Sequence, residues 1–269
     1  MSGIYASLNN AGTITGGSGG DAQAFIGSVA GGAGVSLNGG MLSTSGTISG
    51  GAGGTGTTTG AAGDAVKFGT VASTLVVDTG AVFNGQVVAN ASVNDVLELS
   101  GTQSGGTAIT LGTQFADFSI LDFASGATGT VDATKAALSA QQMLTIDGFG
   151  FGDTLDITNM ADTKGTTLSF NASTEILTIT KGATVIQLGF NSPFTGDHFV
   201  LTANGACSDL TLSSGASADP SSVHGFSLKC AHRSWRSSRS EYRIPYVMLM
   251  PGRVARLDAL RFDDAVERA

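Results

Sequence analysis

Arginine is missing from positions 1–215 of this chain. Only four lysines stand there against fifteen Asp and Glu, a net charge of −11. No basic stripe exists to neutralise phosphates, so that stretch is not a nucleic-acid binder. No run approaches the 18 or so apolar residues that cross a membrane as a helix. The opening MSGIYASLNN has neither a basic nor an apolar region, so it does not read as a cleavable secretory signal. Two cysteines, Cys207 and Cys230, are too few for a disulfide framework; a bond between them is possible in an oxidising space, and two unpaired thiols are the favoured reading. Four prolines and one tryptophan complete the list of scarcities.

Glycine is abundant, at 40 of 269 residues. It does not recur every third residue throughout, which excludes collagen. Ile, Val, Leu and Phe are interleaved with it, which argues against a disordered linker. The stretch LNNAGTITGGSGG (8–20) returns as LSTSGTISGGAGG (42–54), 34 positions later, with eight of thirteen letters unchanged. Gly32-Ala33-Gly34-Val35-Ser36-Leu37 is echoed by Gly63-Asp64-Ala65-Val66-Lys67-Phe68. One short strand per repeat between glycine turns predicts a stacked β-solenoid. Ile14, Val35, Leu37, Ile48, Val66 and Phe68 should point inward, with glycines at the corners taking positive φ.

Three regions follow. Residues 1–69 hold the Gly-rich repeats. Residues 70–215 carry longer strands of period two, from Thr74–Val77 to Asp209–Leu212, separated by turns such as Asp78-Thr79-Gly80 and Asn84-Gly85. The unit Gly80-Ala81…Gly85-Gln86-Val87 recurs as Gly126-Ala127…Gly129-Thr130-Val131. Ala133–Leu144 is the one helical candidate in this body, and residues 145–212 read as hairpins. Residues 216–269 form an irregular tail holding all eight arginines and a net charge of +3. Within it, Arg253–Arg268 could be a short amphipathic helix. That tail reads equally as a new domain cut short or as out-of-frame translation. The chain starts inside a repeat, which suggests an internal piece of a longer reading frame.

The strings GTITGG…GGAGVSL, STLVVDTGAVFNGQVV, VLELSG…LGTQFADFSILDFASGATGTV and IDGFGFGDTLDIT resemble passenger repeats of bacterial autotransporter-like β-helix proteins. The resemblance covers about 4–212. It implies an all-β, right-handed, single-stranded parallel β-helix or solenoid with an irregular C-terminal tail. It also implies an extracellular or cell-surface location, at an outer membrane. Some proteins of this type end in a Hint autoprocessing domain. Cys230 is followed by Ala231-His232-Arg233 rather than by the Gly-Thr turn of such domains, so no catalytic role passes to it.

Candidate chemistry is thin. Gly16-Gly17-Ser18-Gly19-Gly20-Asp21 matches half of the calcium β-roll repeat, but Thr55 stands where the next copy needs aspartate, so a bare glycine corner is the better reading. Asp147, Asp153 and Asp156 form the densest acid cluster and are the calcium candidates. Asp153 and Asp156 are three apart and would face opposite ways on a straight strand, so turn-forming roles compete. His198 beside Asp197 reads as a surface histidine with no nucleophile. No catalytic residues are assigned and no cofactor is required, calcium being the one ion the acids would take. The expected function is a non-enzymatic structural or adhesion-type passenger, meeting a host or matrix surface, glycan or protein. A calcium-binding secreted repeat protein is the alternative, and a polysaccharide-active enzyme the second. At roughly 20 residues per coil the body would have about ten coils and a length of roughly 50 Å.

Overall fold

In the computed structural model, the residues described are 2–3, 6–21, 28–103, 109–139, 143–161, 165–191, 194 and 197–215, the first three strand residues Ser2, Gly3 and Ala6 by backbone alone. All of the described residues belong to one compact unit. The Arg-rich tail, the helix expected at its end and Cys230 lie outside the described residues.

The described chain is all-β, with mostly parallel pairing in three sheets. The period-two strands bury alternate aliphatic side chains, and these stack on one another across the pairing. Leu8, Leu42, Leu75, Leu97, Leu121 and Ile146 occupy one register line. All but Leu8 are fully buried. At roughly 1.5–3 kcal/mol per buried aliphatic side chain, such lines are the main source of cohesion. A second sheet aligns Val35, Val66, Val87 and Phe115. The third aligns Ile14, Ile48 and Phe83. Five of the six residues expected to point inward are buried; Ile14, in the first repeat, is partly so.

The repeats seen in the sequence set this register. Leu8 faces Leu42 and Ile14 faces Ile48 at the spacing of 34, and Val35 faces Val66 at 31. Later spacings shorten to 21 between Val66 and Val87 and 24 between Leu97 and Leu121. These exceed the expected 20 or so, and the longest parallel runs accordingly hold eight strands, from Ser2–Gly3 to Thr154–Thr158, and seven, from Ala6–Asn10 to Thr184–Phe190.

The glycine-rich segments 16–20, 29–34, 50–54 and 60–65 are neither helix nor strand. Their backbones bond to one another at every third residue. Gly16 and Gly19 donate to Ser49 and Ala52 at 2.9 and 2.8 Å, Gly51 and Gly54 to Gly32 and Val29 at 2.8 and 2.9 Å, and Gly63 and Gly60 to Gly51 and Gly54 at 2.8 and 2.9 Å. Three residues is the period of polyproline II, which makes no bonds within itself and leaves them for neighbours. None of these glycines has positive φ; within the repeats the expected corner role is met at Gly39 and Gly40 instead. Close approach demands glycine instead: a Cβ on Gly50 would lie 1.8 Å from the Gly63 carbonyl oxygen, and one on Gly53 1.9 Å from that of Gly60. Positive φ is found at true turns, as at Gly80 and Gly126. There Ala81 and Ala127 donate back to Asp78 and Ala124, so the repeated Gly-Ala unit is one repeated turn.

Two expectations are corrected. The helix is Lys135–Leu138, capped by Thr134, whose hydroxyl accepts from the Ala137 N–H at 3.1 Å. Ala133 belongs instead to the strand Thr128–Thr134 and Leu144 to Leu144–Asp147, because each has a parallel partner that outweighs local helix propensity. Pairing also changes sense along the chain, so the body is not parallel throughout. Thr166–Asn171, Ile176–Lys181 and Thr184–Phe190 form an antiparallel meander, and Asp197–Asn204 pairs with Cys207–Ser214 in a hairpin. The turns Asn171–Thr174 and Lys181-Gly182 make antiparallel pairing local, as the sequence suggests. Leu144–Asp147 is in parallel pairs on both edges and Thr154–Thr158 on one, so residues 145–212 are hairpins only in part. Phe149, Phe170, Phe190, Phe194 and Phe199 pack together where the two pairing modes meet, ring centroids 4.7–6.4 Å apart.

Candidate functional site

The three acids proposed for calcium fall in different places. Asp147 ends the strand Leu144–Asp147 and is in register with Asp122, which is in register with Glu98. These carboxylates lie on successive parallel strands, about 4.8 Å apart, on the face opposite Leu97, Leu121 and Ile146. Burial raises the pKa of Glu98, with the charges of Asp122 and Asp78 adding to it. Burial also raises that of Asp122, helped by Asp147. The Asp147 Oδ1 atom is buried without a hydrogen-bond partner. Asp78 at the ladder's edge accepts from the Ser43 hydroxyl at 2.8 Å.

Asp153 sits in the turn before the next strand, only 3% exposed. Its Oδ2 accepts from the Gly150 N–H at 2.8 Å, the turn-forming role weighed from the sequence. Burial raises its pKa, against the lowering effect of backbone hydrogen bonds from Gly150 and Gly129.

Asp156 lies in Thr154–Thr158, in the other large sheet, 8% exposed. It is in register with Asp132 on the parallel side and with Asp209 on the antiparallel side. Burial first, then the charges of Asp209 and Asp132, push its pKa up to about 7. The Asn204 amide holds Asp209 from the next strand, at 3.2 and 3.3 Å. Asp147 and Asp156 therefore belong to two separate acid ladders. Among the described residues, no three His, Cys, Asp or Glu side chains are grouped to hold a metal ion. The ladders were invisible in the sequence because their members stand far apart along the chain. Only the register collects them, Glu98 to Asp122 to Asp147 and Asp132 to Asp156 to Asp209.

Asp21, the half-motif acid, bonds instead to the next repeat. Its Oδ1 accepts from both the N–H and the hydroxyl of Thr55, each at 2.8 Å, and those bonds lower its pKa. Thr55, where a second aspartate was required, is thus the partner of the first. His198 sits on the strand Asp197–Asn204 with Nδ1 2.9 Å from the Gly215 carbonyl oxygen. Cys207 is buried at the start of the strand Cys207–Ser214 and is disulfide-bonded, so the favoured reading of two unpaired thiols gives way to the alternative. A cavity of about 590 Å³ lies between the turn at Gly112–Phe118 and the helix, lined by Leu111, Phe115, Phe118 and Leu144, with Asp117 its one carboxylate among the described lining. No helix among the described residues is long and apolar enough to cross a membrane. No protein-family model, no curated protein and no solved structure matches the chain.

Proposed function

We propose that residues 4–212 form a right-handed β-solenoid that serves as an exported, non-enzymatic passenger, displayed at a bacterial surface or released from it. The observation that carries this reading is the continuous register of aliphatic lines, which join Leu8 to Leu42 and Val35 to Val66 and run on through nearly every strand. Such a scaffold is built for persistence and extent of surface, and its outward face can vary without disturbing the lines within. Its acidic body suits an exterior, where repulsion keeps molecules apart. The partner would be a glycan or protein of a host or matrix surface. The test is retention of the purified chain on panels of polysaccharides and matrix proteins, with the product analysed in parallel. Saturable retention without chemical change supports the role. Appearance of shortened polysaccharide would overturn it in favour of an enzyme.

A calcium-binding role is the second reading. It is favoured by the buried Oδ1 atoms of Asp147 and Asp153, which have no hydrogen-bond partner. A thermal shift and measurable heat on adding millimolar calcium would support it, and the absence of both would end it.

A further inference from the structure

The outer face of the first glycine repeat carries the imprint of a layer that would lie on it. Gly46, Gly51 and Gly54 belong to the second repeat. A Cβ on each would lie 2.0 to 2.1 Å from the carbonyl oxygens of Gly12, Gly17 and Gly20. Those three are glycine because the first repeat is seated on them. Their counterparts in the first repeat are Gly12, Gly17 and Gly20 themselves, and a Cβ on any of these meets nothing within 4 Å. Neither internal packing nor positive φ requires glycine at these three positions.

Two independent observations mark the same face. The N–H groups of Gly51 and Gly54 donate to Gly32 and Val29 of the repeat above. Those of Gly17 and Gly20, their counterparts, have no partner among the described residues. The aliphatic lines also run out here: Leu42 and Ile48 are fully buried, whereas Leu8 and Ile14 are only partly buried. In the second repeat the equivalent atoms hold a bound layer in this same structure, so the established interface supplies the template for its own continuation.

We propose that the face formed by Gly12, Gly17 and Gly20, flanked by Leu8 and Ile14, is a docking surface for a glycine-rich segment of another polypeptide, laid parallel in the register that joins the first two repeats, with glycine at every third position. The occupant's backbone carbonyls accept from the N–H groups of Gly17 and Gly20. Its aliphatic side chains continue the lines over Leu8 and Ile14. This goes beyond the display role and stands on the packing of the repeats alone.

The probe is a synthetic peptide with the sequence of residues 8–41, titrated into the full chain. Saturable binding is expected, together with slowed hydrogen exchange at the Gly17 and Gly20 amides. The double variant Gly17→Val, Gly20→Val should keep the parent melting temperature, since open space receives both side chains. It should bind the peptide at least roughly tenfold more weakly, the ratio that corresponds to about 1.4 kcal/mol. Absence of saturable binding would overturn the proposal, as would binding that leaves the two amides exchanging freely. Sedimentation of the chain alone gives a further arm. A dimer abolished by the double substitution would assign the face to a second whole copy and overturn the glycine-segment partner.

Discussion

Replacing Asp156 by Asn should stabilise the protein at pH 8 and leave it nearly unchanged at pH 4. Asp156 is 8% exposed, stands between Asp132 and Asp209 in register, and has its pKa raised from 3.8 to about 7. The folded state therefore holds a proton that the unfolded chain gives up more easily. Stability linked to this group is fully present below the unfolded value, near pH 4, and is lost as pH rises towards 7. About three pH units at 1.36 kcal/mol each set a ceiling of about 4 kcal/mol. Water reaching the site when the carboxylate ionises reduces this, and about 2 kcal/mol at pH 8 is expected. The amide of the variant is neutral and can donate a hydrogen bond, as a protonated acid can. The assay is urea denaturation of parent and variant at pH 4, 6 and 8, reading the midpoint at constant m-value. A variant less stable than the parent by the same amount at all three pH values would refute the reasoning, because the carboxylate would then be a net source of cohesion.

Other substitutions probe the packing. Gly50→Ala should cost about 3 kcal/mol or more in thermal unfolding, because its Cβ would stand 1.8 Å from a backbone oxygen that has no room to retreat; a loss under about 1 kcal/mol, the ordinary propensity change, would contradict the close-packed glycine arrangement. Ile48→Ala should cost about 2–5 kcal/mol, and the same change at Ile14, which is only partly buried, clearly less; equal losses in chemical denaturation would deny that the line ends at the first repeat. Glu175 has φ of 55° in a hairpin turn, so Glu175→Gly should raise stability by about 1 kcal/mol in the same assay, and a decrease would mean its side chain is held by something that compensates.

The register was legible in the sequence where repeats share letters. The copies at 8–20 and 42–54 carry the spacing that pairs Leu8 with Leu42. The glycine lattice was harder to see, although Gly16 and Gly19, Gly50 and Gly53, and Gly60 and Gly63 already show the three-residue period. In a glycine-rich chain, turn and close approach use the same residue, and only the neighbour's carbonyl distinguishes them. The acid site was half legible. The string IDGFGFGDTLDIT marks Asp147, Asp153 and Asp156 as dense, but the turn within it sends its two strands to different sheets. What gathers carboxylates is stacking between repeats, and that follows from register rather than from proximity along the chain.

The change from parallel to antiparallel pairing has a kinetic consequence. Apart from Leu111 and Phe115, partners in the parallel sheets are distant along the chain, as Val66 is from Val87 and Thr47 from Val82, whereas Lys181 pairs with Thr184 and Asn204 with Cys207. Closing a short loop costs less entropy, so the hairpins nucleate first and the longer excursions wait for an edge to join. Folding then advances from the C-terminal side towards the N-terminal repeats, each glycine excursion condensing on the one after it. Pulse-labelled amides of 176–190 would gain protection before those of 35–54; the reverse order would mean that the aliphatic lines assemble without that seed.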